Sequence, residues 1–186
     1  MEDGEEKRRR GEEQMKKEIR TVVYDEELRI EAYRFEGIVQ PFPNHFHEYY
    51  VIGFIEGGER RLICRSREYE IRRGDILLFN PGDSHACVQS DGEVFDYRGF
   101  NLSKEVMKKL AEELTGKKEL PGFSENVIHD TEAVCYVRPL HEMVMEGCVE
   151  FGKEENLLLL LGLLIQRYGQ PFEECIPECG AEIERA

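Results

Sequence analysis

The chain has 186 residues, of which 40% are hydrophobic and 34% are charged, as is typical of one globular domain with short appendages. Its 39 acidic and 25 basic residues give a formal net charge of −14, a field that repels nucleic-acid phosphates unless a basic partner domain is attached. The longest apolar run, Leu157 to Ile165, falls short of the roughly 20 residues that span a bilayer. With no signal-peptide pattern, we expect a cytoplasmic protein without membrane contact, whose six cysteines are reduced thiols.

Residues 1–20 form a segment of densely mixed charge. It holds seven acidic and seven basic side chains and few larger apolar groups, such as Met15 and Ile19. A segment of this composition cannot bury enough surface to order itself. We therefore predict a flexible charged arm over residues 1–20, able to fold over the mouth of a pocket.

Residues 21–102 read as short strands cut at regular intervals by turn residues. The predicted strands are Thr21–Phe35 (with Leu28, Ile30 and Ala32 on one face), Tyr49–Ile55, Glu59–Cys64, Tyr69–Ile71, Ile76–Phe79, His85–Val88 and Val94–Leu102. Strands of this length and spacing favour an all-β sandwich or barrel. Gly53 within an otherwise apolar strand indicates a bulge or a close backbone approach.

Three histidines are candidates for a site inside such a barrel. His45 and His47 are two apart in a strand-like run, so their rings share one face. His85 opens another strand after a Pro-Gly turn. If the sheet closes, the three imidazoles converge on one interior. By the same alternation Tyr49 joins His47 and Cys87 joins His85 as lining residues, with simple core packing as the alternative.

Asp96 and Arg98 share a face of the strand over 94–102. If that face points inward, they offer an acceptor and a rigid donor fork, which suits a sugar or a carboxylate ligand. The alternative is an ion pair that satisfies only itself. We predict both as ligand-binding residues.

After Leu102 the apolar period changes from two to about 3.6, which predicts a helical part over residues 103–170. Ser103 is a good N-cap and Gly116 a good helix stop, and Pro139 must kink or restart the second helix, over about 131–146. The third, about 153–168, is apolar on nearly all sides, so one side is predicted to face another subunit. The predicted dimer interface is Leu157, Leu160, Leu161, Leu164 and Tyr168.

Residues 171–186 are predicted to be a linker. Cys175 and Cys179, four apart, are half of a zinc site at most. With no second pair nearby in sequence, two free thiols in a linker are the favoured interpretation.

The proline break before His45-Phe46-His47 and the run Gly74-Asp75-Ile76-Leu77-Leu78-Phe79-Asn80-Pro81-Gly82-x-x-His85 resemble a cupin. More narrowly, residues 21–186 resemble the N-terminal effector-binding and dimerisation domain of AraC-type transcription regulators. The resemblance implies a mainly β fold: a cupin-like double-stranded β-helix, or jelly-roll, barrel over residues 21–102, followed by C-terminal helices that pair two subunits. It also implies a small polar effector, often a sugar, and a helix-turn-helix module after the domain. The chain stops where that module is expected, so we expect DNA contact only through a part that is not present here.

Enzymatic cupins place a carboxylate four or five residues after the second histidine, where this chain has Val51 and Ile52. Glu48 points to the opposite strand face. The three histidines can hold a divalent metal such as Zn, Ni or Fe, or hydrogen-bond an effector without metal. We therefore favour a non-enzymatic sensor. The alternatives are a metal-dependent cupin enzyme, a dioxygenase or an isomerase, and an interaction module whose barrel is filled by its own side chains.

Overall fold

The computed structural model describes residues 17–89, 94–148 and 152–170. In these ranges the chain forms ten strands, namely β1 Ile19–Asp25, β2 Ile30–Ile38, β3 Phe42–His45, β4 Tyr50–Gly57, β5 Glu59–Cys64, β6 Arg67–Arg72, β7 Ile76–Phe79, β8 His85–Gln89, β9 Phe95–Leu102 and β10 Val127–Ile128. The three helices of the described ranges are α1 Lys104–Thr115, α2 Thr131–Met145 and α3 Lys153–Tyr168. None of these helices is long and apolar enough to cross a membrane.

The strands form two sheets whose pairings are all antiparallel. The larger sheet has the order β1-β2-β9-β4-β7-β10, and the smaller has the order β3-β8-β5-β6. Apart from the pairs β1-β2 and β5-β6, neighbours in each sheet are not consecutive in sequence, as in a jelly roll, and the three helices follow β9 along the chain. The predicted fold class, a cupin-like jelly-roll barrel followed by C-terminal helices, is confirmed.

Two apolar cores lie on opposite faces of the larger sheet. In β4, Ile52 and Phe54 pack towards the helices, whereas Val51 and Ile55 belong to the cluster between the sheets. Alternate residues of a strand point to opposite faces, and both faces of β4 are covered. This double burial is why Tyr50–Ile55 reads as a continuous apolar run instead of an alternating one.

The segment predicted as one strand over Thr21–Phe35 is a hairpin of β1 and β2. The Asp25 carboxylate accepts hydrogen bonds from the backbone N–H groups of Glu27 and Leu28, which stabilises the turn, and Leu28 therefore lies in that turn. A buried ion pair of 2.6 Å between Asp25 and Lys153 fastens the hairpin to the start of α3. β1 already begins at Ile19, within the segment predicted as an arm. Residues 1–16 of that arm lie outside the described ranges.

The predicted helix ends of α1 are confirmed. The Ser103 hydroxyl accepts a hydrogen bond from the Val106 N–H, and Gly116 closes the helix with a φ of 73°. Of the two outcomes predicted at Pro139, a kink or a restart, the restart does not occur, because α2 continues through Pro139 to Met145.

The predicted dimer interface on α3 is wrong for its four leucines. Leu157, Leu160, Leu161 and Leu164 are fully buried in the protomer's own core, between the larger sheet and the other helices. Tyr168 is half-buried, and its hydroxyl donates a hydrogen bond to Asp130. A side chain already covered by its own chain cannot form the seam with a second copy. The predicted linker, with Cys175 and Cys179, lies outside the described ranges.

Candidate functional site

A cavity of about 260 Å³ lies between the two sheets. Its wall combines aromatic rings with a few polar side chains, namely His45, His47, His85, Tyr33, Tyr49, Tyr97, Glu31 and Asn101. A concave, mostly apolar hollow with a few convergent polar groups is the usual form of a small-molecule site. The cavity therefore contradicts the alternative in which the barrel is filled by its own side chains.

The three predicted histidines converge in this cavity. His45 ends β3 and is directly opposite His85 at the start of β8, while His47 lies in the connection from β3 to β4. The ring of His45 is centred 4.4 Å from that of His85 and 4.9 Å from that of His47. One ligand nitrogen from each ring lies within 4.8 Å of the other two. His47 reaches the same hollow from a loop, although the sequence pattern had placed it on the strand of His45.

Two of these rings are oriented by backbone carbonyls. The Nδ1 atom of His45 lies 2.6 Å from the Pro43 oxygen, and that of His85 lies 2.9 Å from the Asp83 oxygen. A carbonyl can only accept, so in each ring Nδ1–H donates and Nε2 keeps its lone pair. Metal-binding histidines are commonly fixed in this way by a partner on the other ring nitrogen.

The electrostatics of the cluster favour neutral rings at His47 and His85. Burial, together with the charges of His85 and His45, lowers the pKa of His47 to about 4. Burial also lowers the pKa of His85, although the hydrogen bond to the Asp83 carbonyl partly offsets this effect. Neutral imidazoles are lone-pair donors near pH 7, so these residues fit a divalent metal, and they fit equally well as acceptors for ligand hydroxyls.

No described carboxylate joins the three nitrogens as a fourth metal ligand. Glu48 is exposed, as its position next to His47 predicted. Glu31 lines the cavity wall, but one of its carboxylate oxygens accepts a hydrogen bond of 2.6 Å from the Asn101 side chain. The arrangement is therefore a three-histidine set with open positions.

Tyr49 and Cys87 line the cavity as predicted. The Tyr49 ring stacks on His47 at a centroid distance of 4.8 Å. Burial raises the pKa of the Cys87 thiol to about 11, although the adjacent Arg60 guanidinium lowers it. Cys87 is thus a protonated, weakly polar wall group at neutral pH and a poor nucleophile.

Asp96 and Arg98 do not line the cavity, so the expectation that their face of β9 points inward is wrong. The residues of β9 in the wall are Phe95, Tyr97 and Asn101, so Asp96 and Arg98 point to the opposite side. There the Asp96 carboxylate accepts a 2.7 Å hydrogen bond from the Gly37 N–H.

A pair of tyrosines, which the sequence analysis missed, closes one side of the cavity. The hydroxyls of Tyr33 and Tyr97 are 2.7 Å apart and hydrogen-bonded. Both rings lie over glycines, since a Cβ on Gly53 would stand 2.2 Å from the Tyr97 hydroxyl and one on Gly99 would stand 2.5 Å from the Tyr33 hydroxyl. The predicted close approach at Gly53 is confirmed, and this glycine was the sequence signal for the pair.

Glu31, Tyr49 and Asn101 border two hollows at once. They line the inner cavity, and they also line an outer, more open depression whose far side includes Ser103 and Glu105. Glu31 and Asn101 were not predicted from the sequence, because only the observed pairing of β2 with β9 places these residues opposite each other.

A chain of hydrogen bonds leads from the cavity to the end of α3. His85 Nδ1 bonds the Asp83 carbonyl, and the Asp83 carboxylate accepts from the backbone N–H and the side-chain amide of Asn80. The Asn80 side chain in turn bonds both the N–H and the carbonyl of Phe123, at 2.7 and 3.0 Å. Phe123 forms a β-bridge with Gly169, directly after α3.

Comparison with known sequences identifies two similarities. Residues 27–165 match the sequence profile of the family described as the AraC-like ligand binding domain. The chain is also 47% identical over 171 residues to the HTH-type transcriptional regulator YbfI of Bacillus subtilis (strain 168). That alignment covers 91% of this chain and 62% of the relative, so the chain spans about three fifths of the relative's length.

Solved structures with similar folds include a cupin superfamily protein from Desulfitobacterium hafniense DCB-2. It is 12% identical, with a TM-score of 0.41 over 47% of this chain and 79% of that protein. A protein with a double-stranded β-helix domain from Klebsiella pneumoniae is 20% identical, with a TM-score of 0.40 over 47% of this chain and 77% of that one. Likenesses of this size say nothing about activity.

Proposed function

The chain belongs to the AraC-like ligand-binding domain family, and from this membership we propose that it is the effector-binding part of a transcription regulator. In this proposal a small polar effector, with a sugar as the first class to test, enters the cavity between the sheets. The 47% identical relative is a helix-turn-helix regulator, which supports an attached DNA-binding part that responds to the effector.

The observation that carries the proposal is the open cavity with its convergent polar groups. His47 and Tyr49 offer a ring face and hydrogen-bonding atoms, and the Glu31–Asn101 pair offers adjacent acceptors and a donor. Aromatic faces with a few fixed polar groups are suited to a sugar ring, whose C–H face stacks and whose hydroxyls bond outward. Such a domain binds its effector without turnover.

The hydrogen-bond chain from His85 through Asn80 to Phe123 supports a route for the signal. An effector that contacts His85 acts on the Asp83 loop, and the Asn80 side chain connects that loop to the strand-like pairing of Phe123 with Gly169. Ligand binding shifts an equilibrium only if its contacts differ between two states, and this network is where we place that difference.

We also propose that the chain forms a homodimer through a surface other than the buried leucine stripe. A groove between α1 and α3 exposes Leu114, Leu158 and Leu159 and is rimmed by glutamates. Leu159 is 46% exposed, which is unusual for a leucine in the middle of a helix that is otherwise buried. This face supports a dimer of modest area.

A metal-dependent cupin enzyme, a dioxygenase or an isomerase, is the second candidate function. The observation that favours it is that one ring nitrogen from each of the three histidines lies within 4.8 Å of the other two. His45, His47 and His85 would hold a zinc, nickel or iron ion, which would supply a Lewis acid with open positions. This candidate requires tight metal binding and turnover, and the sensor requires neither.

The test is a thermal-shift and calorimetric screen of neutral monosaccharides against the wild-type chain. We expect one or more sugars to raise the melting temperature, and we expect Tyr49→Ala and His47→Ala to abolish the shift. Phe46→Ala is the matched control, because Phe46 lies between the two histidines but is 62% exposed. A screen in which no sugar binds, or binding that survives both cavity variants, would contradict the proposal.

A further inference from the structure

Two arginines stand directly opposite each other on the outer face of the larger sheet. Arg34 of β2 and Arg98 of β9 are partners in the antiparallel register. Both lie on the face turned away from the cavity, towards α2. The Nε atom of each is buried without a hydrogen-bond partner. Like charges directly opposite on neighbouring strands destabilise a sheet, so this pair requires a compensating interaction.

No ion pair among the described residues compensates these two arginines. The nearest acid from β4, Glu56, is held by Arg138 of α2 through two hydrogen bonds of 2.8 and 3.1 Å. Asp96 accepts a hydrogen bond from the backbone of Gly37. In a chain with a net charge of −14, two adjacent guanidinium groups without an acid partner are therefore distinctive.

His141 of α2 adds a third unpartnered nitrogen to this place. It is fully buried, with its Nε2 atom 2.9 Å from the backbone oxygen of Tyr33 and its ring against Phe54 of the same sheet face. Its Nδ1 atom is buried without a partner. The carbonyl fixes the proton on Nε2, so Nδ1 presents a lone pair. Burial, together with the nearby charges of Arg98 and Arg34, lowers the pKa of His141 to about 4, so the ring is neutral at pH 7.

We propose that Arg34 and Arg98 bind inorganic phosphate on this outer face beneath α2. Each guanidinium group can donate a pair of hydrogen bonds to phosphate oxygens, and the bound anion would neutralise the two positive charges that face each other. The neutral His141 ring selects among oxyanions, because its Nδ1 lone pair accepts only from an anion that carries a hydroxyl. A hydrogen phosphate has such a hydroxyl, and a carboxylate has none. The site is separate from the cavity and does not depend on the effector proposed for it.

The experiment is calorimetry and thermal shift of the wild-type chain at pH 7 in sodium phosphate against sodium chloride of equal ionic strength. We expect phosphate to raise the melting temperature beyond the chloride value. Arg34→Gln and Arg98→Gln should each weaken phosphate binding by tenfold or more. Arg61→Gln is the matched control, since Arg61 is an exposed arginine of β5, and its phosphate response should equal that of the wild type.

Three further measurements separate this site from a structural role of the arginines. In chloride alone, Arg98→Gln should melt no lower than the wild type, because the substitution removes a like-charge contact. His47→Ala in the cavity should leave the phosphate response intact. Acetate should give no shift, and an acetate shift as large as that of phosphate would overturn the assignment. The proposal is equally overturned if phosphate acts no better than chloride, or if both arginine variants respond like the wild type.

Discussion

Gly53 and Tyr97 are in direct contact across the wall of the cavity, with room for a hydrogen atom and no more at Cα of the glycine. An added Cβ would lie 2.2 Å from the Tyr97 hydroxyl oxygen and 2.5 Å from the ring. The Tyr97 ring cannot retreat freely, because its hydroxyl is bonded to Tyr33. The backbone of β4 thereby fixes the position of one aromatic wall of the site.

The first prediction concerns this contact. Gly53→Ala should lower the free energy of unfolding by about 1–3 kcal/mol, since overpacking forces side chains out of their rotamers. Urea denaturation measures the effect. The control is Gly162→Ala in α3, where the new Cβ would meet Leu114 at an ordinary 3.6 Å. That variant should be neutral or more stable by up to about 1 kcal/mol. Equal effects of the two substitutions would contradict the prediction.

The second prediction is a loss of stability in mild acid that depends on His141. Its pKa is about 4 in the folded chain against an ordinary value of 6.5, because burial disfavours the charged ring. Below pH 6.5 the unfolded chain takes up a proton that the folded chain refuses. The free energy of unfolding therefore falls by about 1.4 kcal/mol per pH unit from this group, until the pH reaches about 4.

Denaturation curves between pH 7 and pH 4 measure this slope. His141→Gln should reduce it without abolishing it, because the pKa values of His47 and His85 are lowered as well. Asp130 affects the stability of the folded chain in a different pH range. Burial raises the pKa of Asp130, but hydrogen bonds from Ala133, Arg167 and Tyr168 outweigh this effect and lower the pKa to about 2. The stabilisation that this carboxylate contributes is therefore lost only below pH 3.8. An unchanged slope in His141→Gln would refute the assignment.

The third prediction tests the network behind His85. Asn80→Ala removes the hydrogen bonds to Phe123 and to Asp83 and leaves buried polar groups without partners. We expect a loss of about 2–3 kcal/mol in stability. Amide exchange at Phe123 and Gly169 should also become faster. Ser84→Ala is the control, because its hydroxyl bonds Asn44 at the surface. Exchange at Gly169 that is indifferent to Asn80 would argue against the proposed route.

The fourth prediction addresses the three-histidine cluster. If the cluster is a metal site, wild-type protein loaded with Zn²⁺ and dialysed should retain about one ion per chain by elemental analysis. His45→Ala and His85→Ala should each lose it. His129→Ala is the control, since that side chain is 65% exposed beside Asp75. Retention by the two cluster variants would place the metal elsewhere, and no retention by the wild type would leave the histidines as hydrogen-bonding groups.

The fifth prediction distinguishes the two faces of α3. Leu159→Glu should convert a dimer to a monomer in light scattering without loss of folding, because Leu159 is exposed. Leu160→Glu should instead unfold the chain, since it places a charge in the core. Because Glu113, Glu154 and Glu155 rim the groove, added salt should strengthen the dimer by screening. A dimer that persists in Leu159→Glu would rule out this face.

The sequence predicted the barrel well because each strand carries its own local signal. Gly74 and Gly82 lie in the turns on either side of β7. Their φ values of 95° and 89° belong to a backbone conformation that other residues rarely adopt. The hairpin of β1 and β2 was missed, since its turn is stabilised by the Asp25 carboxylate and carries no glycine. A turn made by one side chain leaves little trace in a pattern of apolar residues.

The site was predicted in part, and the errors have a common cause. His45 and His85 meet because cross-strand pairing brings β3 against β8, and the predicted convergence of the three rings is confirmed although His47 lies in a loop. For β9, a shift of one residue exchanges the two faces, and polarity alone pointed to Asp96 and Arg98. The cavity uses aromatic groups such as Tyr97 instead. Likewise, an apolar stripe on a helix looks the same whether its own chain or a second copy covers it.

The inner cavity and the outer depression meet at Glu31, Tyr49 and Asn101, so one elongated compound can extend from one hollow into the other. A compound that occupied both hollows would contact these three residues with its middle part. One end would lie among the imidazoles, and the other end would lie beside the first turn of α1. Length then becomes a criterion of recognition as well as polarity. Compounds that share an end group but differ in length would therefore be distinguished at the junction of the two hollows and not in the inner cavity.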